Sequence, residues 1–421
     1  MRIAIIGSGI SGLTAAWLLH KQHEITIFEK NDYFGGHTDT HAVTIDKQQL
    51  MVDTGFIVFN EHNYPLFCNM LKELNVCWQT SDMSFSVNNL VSKLAYNPSG
   101  LVSLILNFKN IFNPSFRRMF HDLKRFYDQT RDMDINTIPS SITLEYFLEE
   151  YGYSKDFREE HLYPMCGALW SANTFEVPKL PFKFVLGFFQ NHKMLQMTDR
   201  PQWLTVKGGS SAYINALKQQ IKATWHNQSV ISVDRENKDI EIRTAEGSKQ
   251  YFDRVIFACH ADQALKLMTH ATANEKNILG AFRYNPNTMV LHTDARVMPI
   301  KKSNWASWQV RVAQAEKSTA SCSPTYSFTY WMNRLQNLQV KQPVLATLNP
   351  NSAIDPRKIL VTRHYEHPQF DVDALNAQSL WAEINGVNRS YFCGAYWGWG
   401  FHEDGARSAH RVAHHLLSVN P

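Results

Sequence analysis

Six residues near the N-terminus, Gly7-Ser8-Gly9-Ile10-Ser11-Gly12, constrain this chain more than any other stretch. They follow a short apolar run, Ile3 to Ile6, of the kind buried on both faces in a parallel sheet. A helical pattern runs from Leu13 to about Lys21, and a second strand, Glu24 to Phe28, ends at Glu29. Each glycine has a mechanical task in such a strand–turn–helix unit. Gly7 permits the tight turn, Gly9 lets a diphosphate approach the backbone, and Gly12 lets helix and strand pack closely. Ser8, Ile10 and Ser11 complete the turn, and the helix start adds free N–H groups and a positive dipole end. Glu29, with Lys30 beside it, is placed to accept hydrogen bonds from a ribose 2′-OH. A 2′-phosphate would want an Arg there instead. Glycines cluster in ordinary turns, but strand, helix, second strand and acid in register point to an ADP-containing dinucleotide. The expected fold is α/β with a Rossmann-like domain.

After Glu29 the chain reads Lys30-Asn31-Asp32-Tyr33-Phe34-Gly35-Gly36-His37-Thr38, and later Val52-Asp53-Thr54-Gly55-Phe56. The Gly35-Gly36 pair resembles the second fingerprint of the FAD-binding amine-oxidase superfamily, which includes phytoene-desaturase-like proteins. The resemblance implies noncovalent FAD, contacted by Gly35, Gly36, His37 and Thr38, with Thr54, Gly55 and Phe56 in a turn near the flavin. An Arg usually follows the glycine pair in that superfamily; His37 stands there in this chain. A second Gly-Gly turn, Lys207-Gly208-Gly209-Ser210, leads into an amphipathic helix and resembles the superfamily's re-entry into its FAD domain. By the same match Val230 lends its backbone to the adenine, and Asp253 to His260 forms a strand and loop close by.

At the C-terminal end, Ser390 to Ala395 reads as strand and turn, and Glu403-Asp404-Gly405-Ala406 opens a last helix. The resemblance places Gly394, Ala395, Glu403, Asp404 and Gly405 against the ribityl chain and the flavin pyrimidine. A helix dipole there stabilises the negative charge of a reduced flavin. Ala395 replaces an acid common in the superfamily. The phrases Gly36-His37-Thr38, Val52 to Phe56, Thr329 to Gln336 and Phe392 to Gly405 resemble a narrower group. These are bacterial NAD/FAD-binding oxidoreductases related to the N-terminal flavin domain of plant cyclopropane-fatty-acid synthases. That likeness implies a lipid acyl substrate and a lipid-modifying enzyme as partner.

With 421 residues, 44% of them hydrophobic, the chain is long enough for two domains. The FAD-binding domain is expected in 1–56, 203–262 and 385–421, and a substrate-binding domain in 57–202 and 263–384. A net charge of +4 over this length predicts no nucleic-acid partner. The six cysteines form no CxxC pair and no zinc-type spacing with His, so no metal is expected and free thiols in a reducing compartment are. The apolar run Leu101 to Leu106 is far below the roughly 20 residues that span a bilayer, and no signal-peptide pattern opens the chain. A cytoplasmic location follows. A basic amphipathic stretch, Asn107 to Phe126, raises peripheral membrane contact as an alternative to an ordinary helix with a core face and a solvated face.

The 11 Trp, 16 Tyr and 25 Phe exceed what core packing alone demands and fit a pocket for an apolar ligand. Without a second GxGxxG or a redox cysteine pair, the simplest chemistry is hydride transfer from substrate to flavin N5. Many amine oxidases hold water near N5 with a Lys; the comparable strand, Thr288 to His292, carries none. Tyr396, Trp397, Trp399 and His402 are the candidate catalytic and wall residues, with His402 the first choice of base and Tyr330 to Asn333 a second wall. The alternatives are an amine oxidase and a flavoprotein partner of a lipid methyltransferase that does not turn over.

Overall fold

The computed structural model describes residues 1–97, 110, 112–196, 198–236, 238–314 and 324–419. The apolar run Leu101 to Leu106, the N-terminal part of the basic stretch and Cys322 lie outside the described residues.

Five parallel strands form one sheet in the order Ser390–Phe392, Arg254–Phe257, Arg2–Ile6, Glu24–Phe28, Ala223–His226. Their sequences are short and nearly all apolar because helices or strands cover both faces. Strands from three separate stretches of the chain therefore complete one sheet, and all five end on the same edge. The first helix, Ile10–Leu19, starts inside the glycine motif, three residues earlier than the apolar periodicity suggests. A Cβ on Gly12 would lie 2.0 Å from the carbonyl oxygen of Gly7, so only glycine allows this helix to sit so close to the first strand. The last helix, His402–Val419, crosses the first one just as closely: a Cβ on Gly405 would meet Ile10 at 2.6 Å.

A second sheet has seven strands in the order Ile359–Gln369, Arg283–His292, Leu345–Leu348, Pro324–Trp331, Trp308–Gln314, Phe85–Asn89, Leu94–Tyr96. It is antiparallel except where Trp308–Gln314 runs parallel to Phe85–Asn89. Helices Pro114–Thr130, Leu144–Glu150, Tyr163–Trp170 and Phe182–Asn191 share an aromatic-rich core with it. The described part of the basic stretch falls in the first of these helices. It buries Phe116, Met119, Leu123 and Phe126 while Arg117, Arg118 and Lys124 face solvent, as expected of an ordinary surface helix. Among the described residues, no helix is long and apolar enough to cross a membrane.

A three-stranded antiparallel sheet, Val230–Asp234, Ile240–Thr244 and Lys249–Phe252, extends the expected hairpin by one strand. It is locked to the helix Ala273–Gly280 by a bidentate pair, Arg235 Nη1 to Glu275 Oε1 at 2.5 Å and Nη2 to Oε2 at 2.9 Å. Both side chains are buried, 4% and 0% exposed, so removing one leaves an uncompensated charge in the interior. Arg235→Ala is expected to lower stability by about 3–5 kcal/mol in equilibrium denaturation. A loss below about 1 kcal/mol, the range of surface pairs, would mean that water reaches the pair.

Candidate active site

The five parallel strands point their C-terminal ends at one cavity of about 960 Å³. Ile6 to Ser11, Phe28 to Asn31, Gln228 to Val230, Ala258 to His260, and Gly394 with Ala395 line it, each just beyond one strand. Ligands bind in this position in open α/β sheets because the strand ends leave backbone groups and helix N-termini unpaired.

The glycine turn is built as its sequence requires. Gly7 has φ +105°, and a Cβ on it would meet the Ala258 carbonyl at 2.7 Å. At Gly9, by contrast, a Cβ would meet nothing within 4 Å and would project into the cavity. The Ile10–Leu19 helix begins there with no side-chain cap, so its N-terminal dipole faces open space. The carboxylate of Glu29 ties the neighbouring turns together. Its Oε2 accepts hydrogen bonds from the Ser8 N–H (3.0 Å) and hydroxyl (2.6 Å), and its Oε1 accepts from the Asn31 N–H. The Gly35 N–H in turn donates to the Ser8 hydroxyl at 3.1 Å. Gly36, at φ +59°, leaves only 3.0 Å between its would-be Cβ and the Cα of Gly9. Both Gly-rich turns thus form one cradle, with Glu29 and Lys30 at its rim.

Thr54, Gly55 and Phe56 line the next part of the cavity. Their position follows from Asp53, whose fully buried carboxylate accepts from the Thr40 hydroxyl, from the Ser210 N–H and hydroxyl, and from Gln336 Nε2. Burial pushes this carboxyl up to about 6, against the pull of those donors. Beyond Phe56 the walls become apolar. Met83, Phe85, Met165, Trp170, Phe188, Met194, Trp203, Met289, Trp308, Tyr330 and Leu348 enclose this arm.

Several residues identified from sequence stand behind the wall. Gly12, Gly35, Thr38, Trp397, Glu403, Asp404 and Gly405 do not line the cavity. Glu403 accepts the N–H groups of Leu66 and Phe67 at 3.0 Å each, so its charge serves the start of the helix Pro65–Glu73. Asp404 accepts from the Phe401 N–H and pairs with Arg407. Trp397 packs on Phe282. Tyr396, Trp399 and His402 do reach the cavity. His402 stacks on Phe56 at 3.6 Å, and its Nε2 meets the Tyr213 hydroxyl at 2.9 Å and Thr38 Oγ1 at 3.2 Å. Burial holds its imidazole well below the usual range, so it is a neutral, hydrogen-bonded wall group in this structure. Of the second expected wall only Tyr330 takes part; Met332 is buried elsewhere and Asn333 bonds the Val340 and Gln342 carbonyls. His292 is fully buried against Thr347, outside the cavity, and Met289 is the residue of its strand that faces the apolar arm. Sequence reasoning missed His260, Tyr284, His364, Tyr365 and His367 in the wall. The strand Ile359–Gln369 has alternating polar residues that read as an ordinary edge strand.

The profile of the flavin containing amine oxidoreductase family matches residues 10–417. The chain belongs to that family. It is accordingly an FAD-dependent oxidoreductase, and the cradle fits the cofactor: Gly9 leaves room that a side chain would fill, beside a helix N-terminus suited to a diphosphate. Solved structures give the same fold over the whole chain. A fatty acid isomerase from P. acnes, described as producing CLA, matches with a TM-score of 0.66 at 13% identity, covering 100% of this chain and 99% of that one. Cyclohexylamine oxidase from Brevibacterium oxydans matches at 0.67 and 14%, covering 99% of each. A triple mutant of putrescine oxidase matches at 0.68 and 12%, covering 100% and 99%. At these identities the likeness speaks for fold alone. Comparison with curated protein sequences gives no match.

Gly9→Val should give a folded protein without flavin, because the added atoms meet cofactor space and no protein atom. Far-UV circular dichroism and visible flavin absorbance test this together. Wild-type flavin content in the variant would contradict the placement of the diphosphate at this turn.

Proposed function

We propose that the protein dehydrogenates an apolar, acyl-chain substrate held in the aromatic and methionine-lined arm of the cavity. The observation that carries this reading is the composition of that arm. Its described walls are thioether, aromatic and aliphatic side chains, and the carboxylates among the lining residues, Glu29 and Glu366, both belong to the polar end. A thioether-rich wall adapts to a flexible chain and excludes water from it. Trp308 Nε1–H is buried with no protein partner and can donate to one polar group of a bound substrate. Bound FAD supplies the two-electron acceptor that takes a hydride, while a proton leaves the substrate separately. Tyr396, Trp399 and His402 shape the wall beside it.

A cationic amine substrate is the second reading, favoured by the aromatic walls, which attract cations through their ring faces. It lacks a carboxylate partner in the arm. The cofactor is held noncovalently in this account, and acid precipitation should release it to the supernatant.

Anaerobic mixing of the FAD-loaded protein with membrane-derived acyl lipids and, separately, with mono- and polyamines tests the proposal. Bleaching of the flavin by lipids alone is expected. Bleaching by amines alone would replace this reading with the second, and bleaching by neither would contradict turnover on both classes. Ala168, in the helix Tyr163–Trp170, lines the arm, so Ala168→Trp should abolish lipid bleaching and leave flavin content unchanged.

A further inference from the structure

Three histidines converge beside the glycine cradle without being explained by it. His37 follows Gly36, which rests on Gly9; His260 follows Ala258, which rests on Gly7; His367 comes from the Ile359–Gln369 strand of the other sheet. The His37 ring lies 5.2 Å from that of His367 and 6.4 Å from that of His260, centroid to centroid. Tyr365 stacks on His37 and Tyr284 on His260, so aromatic rings fix the orientation of the group. All three imidazoles line the cavity. Two of their nitrogens, His37 Nε2 and His367 Nδ1, are buried and have no partner in the protein. A buried polar atom without a partner is costly unless a ligand completes it.

A diphosphate at the glycine turn brings two negative charges next to this cluster. The permanent cations within the cavity wall do not supply a guanidinium between the rings: Lys30 and Lys266 are exposed, and Arg363 is engaged by Asp39 at 2.8 Å. We propose that His37, His260 and His367 form a shared anion site for the FAD diphosphate, filled by cofactor and proton together. The cluster takes the place of a fixed positive charge, and its charge is present only while the anion is there.

The surrounding charges are consistent with this. In the empty cavity burial holds all three imidazoles low, His260 and His367 to about 3, with each ring further opposing protonation of its neighbours. His37 also faces Asp39, which raises its affinity for a proton. His260 faces Asp262 on the helix that follows it, Lys30 across the cavity, and Glu366, whose Oε2 is 3.5 Å from its Nδ1. Gln263 Nε2 lies 3.4 Å from the same nitrogen. His402 is also influenced by His37 and is already hydrogen-bonded. A dianion outweighs these partial effects, so the bound state takes up a proton that the empty state does not hold. By linkage, cofactor affinity then falls as pH rises through the titration of the loaded cluster, by up to about tenfold per pH unit for one proton.

The test measures the FAD dissociation constant of the full chain from the fluorescence of released flavin between roughly pH 6 and pH 8, the range where a histidine coupled to an anion titrates. Circular dichroism at each pH confirms folding. Calorimetric titration of the flavin-stripped chain with FAD and with ADP, in two buffers of different ionisation enthalpy, counts the protons directly. Expected are a dissociation constant that rises several-fold or more across the window and proton uptake with both ligands. His37→Gln and, separately, His367→Gln should weaken binding and flatten the pH dependence. A pH-independent dissociation constant with no proton uptake in the unaltered protein would overturn the proposal without recourse to any variant. So would an unchanged slope in both folded variants.

Discussion

The carboxylate of Asp53 is the point on which the architecture turns. It is fully buried, and it holds three distant parts of the chain: the hairpin strand that contains Thr40, the start of the helix Ser211–Gln220 through Ser210, and Gln336 at the end of the seven-stranded sheet's central region. Gln336 answers by accepting the Asp53 N–H, which makes the contact reciprocal. A buried acid is expensive, and here burial raises its proton affinity while four donor groups offset the cost. The residues that follow it, Thr54 to Phe56, are placed by that anchorage at the passage between the dinucleotide cradle and the apolar arm. Cofactor site and substrate site are joined there.

From this seam the two halves of the site follow different physics. The dinucleotide end is backbone chemistry: glycines that allow close approach, a helix N-terminus, and the Glu29 carboxylate bracing Ser8 against the Gly35 turn. The other end is side-chain chemistry, in which methionines and aromatic rings from both sheets and from the helix Tyr163–Trp170 form a dry wall. An oxidoreductase needs both, a fixed cofactor and a water-poor approach to it.

The cradle was legible in the sequence because backbone-driven motifs are local. Gly7, Gly9 and Gly12 each do what their spacing demands, and Gly35-Gly36 packs on the first turn. The C-terminal block was legible as strand and helix, but the tasks of its acids were not. Glu403 sits where a flavin contact is expected by resemblance, and its charge instead caps a helix 336 residues away along the chain, Pro65–Glu73. Nothing local marks such a contact. The apolar arm was legible only as an excess of aromatic residues, since its walls come from at least six elements that no periodicity connects. His260 and His367 were invisible for the same reason: each is a lone histidine in sequence, and only the fold brings them to His37.

The central claim is that an apolar chain occupies the arm directly against the flavin. Titrating the FAD-loaded protein with an unreactive saturated fatty acyl ligand and following the visible flavin spectrum measures this most directly. A saturable shift of the flavin bands, with a midpoint that matches binding measured independently, is the predicted result. Saturable binding of the same ligand with an unperturbed flavin spectrum would place the acyl site elsewhere on the protein and contradict the account.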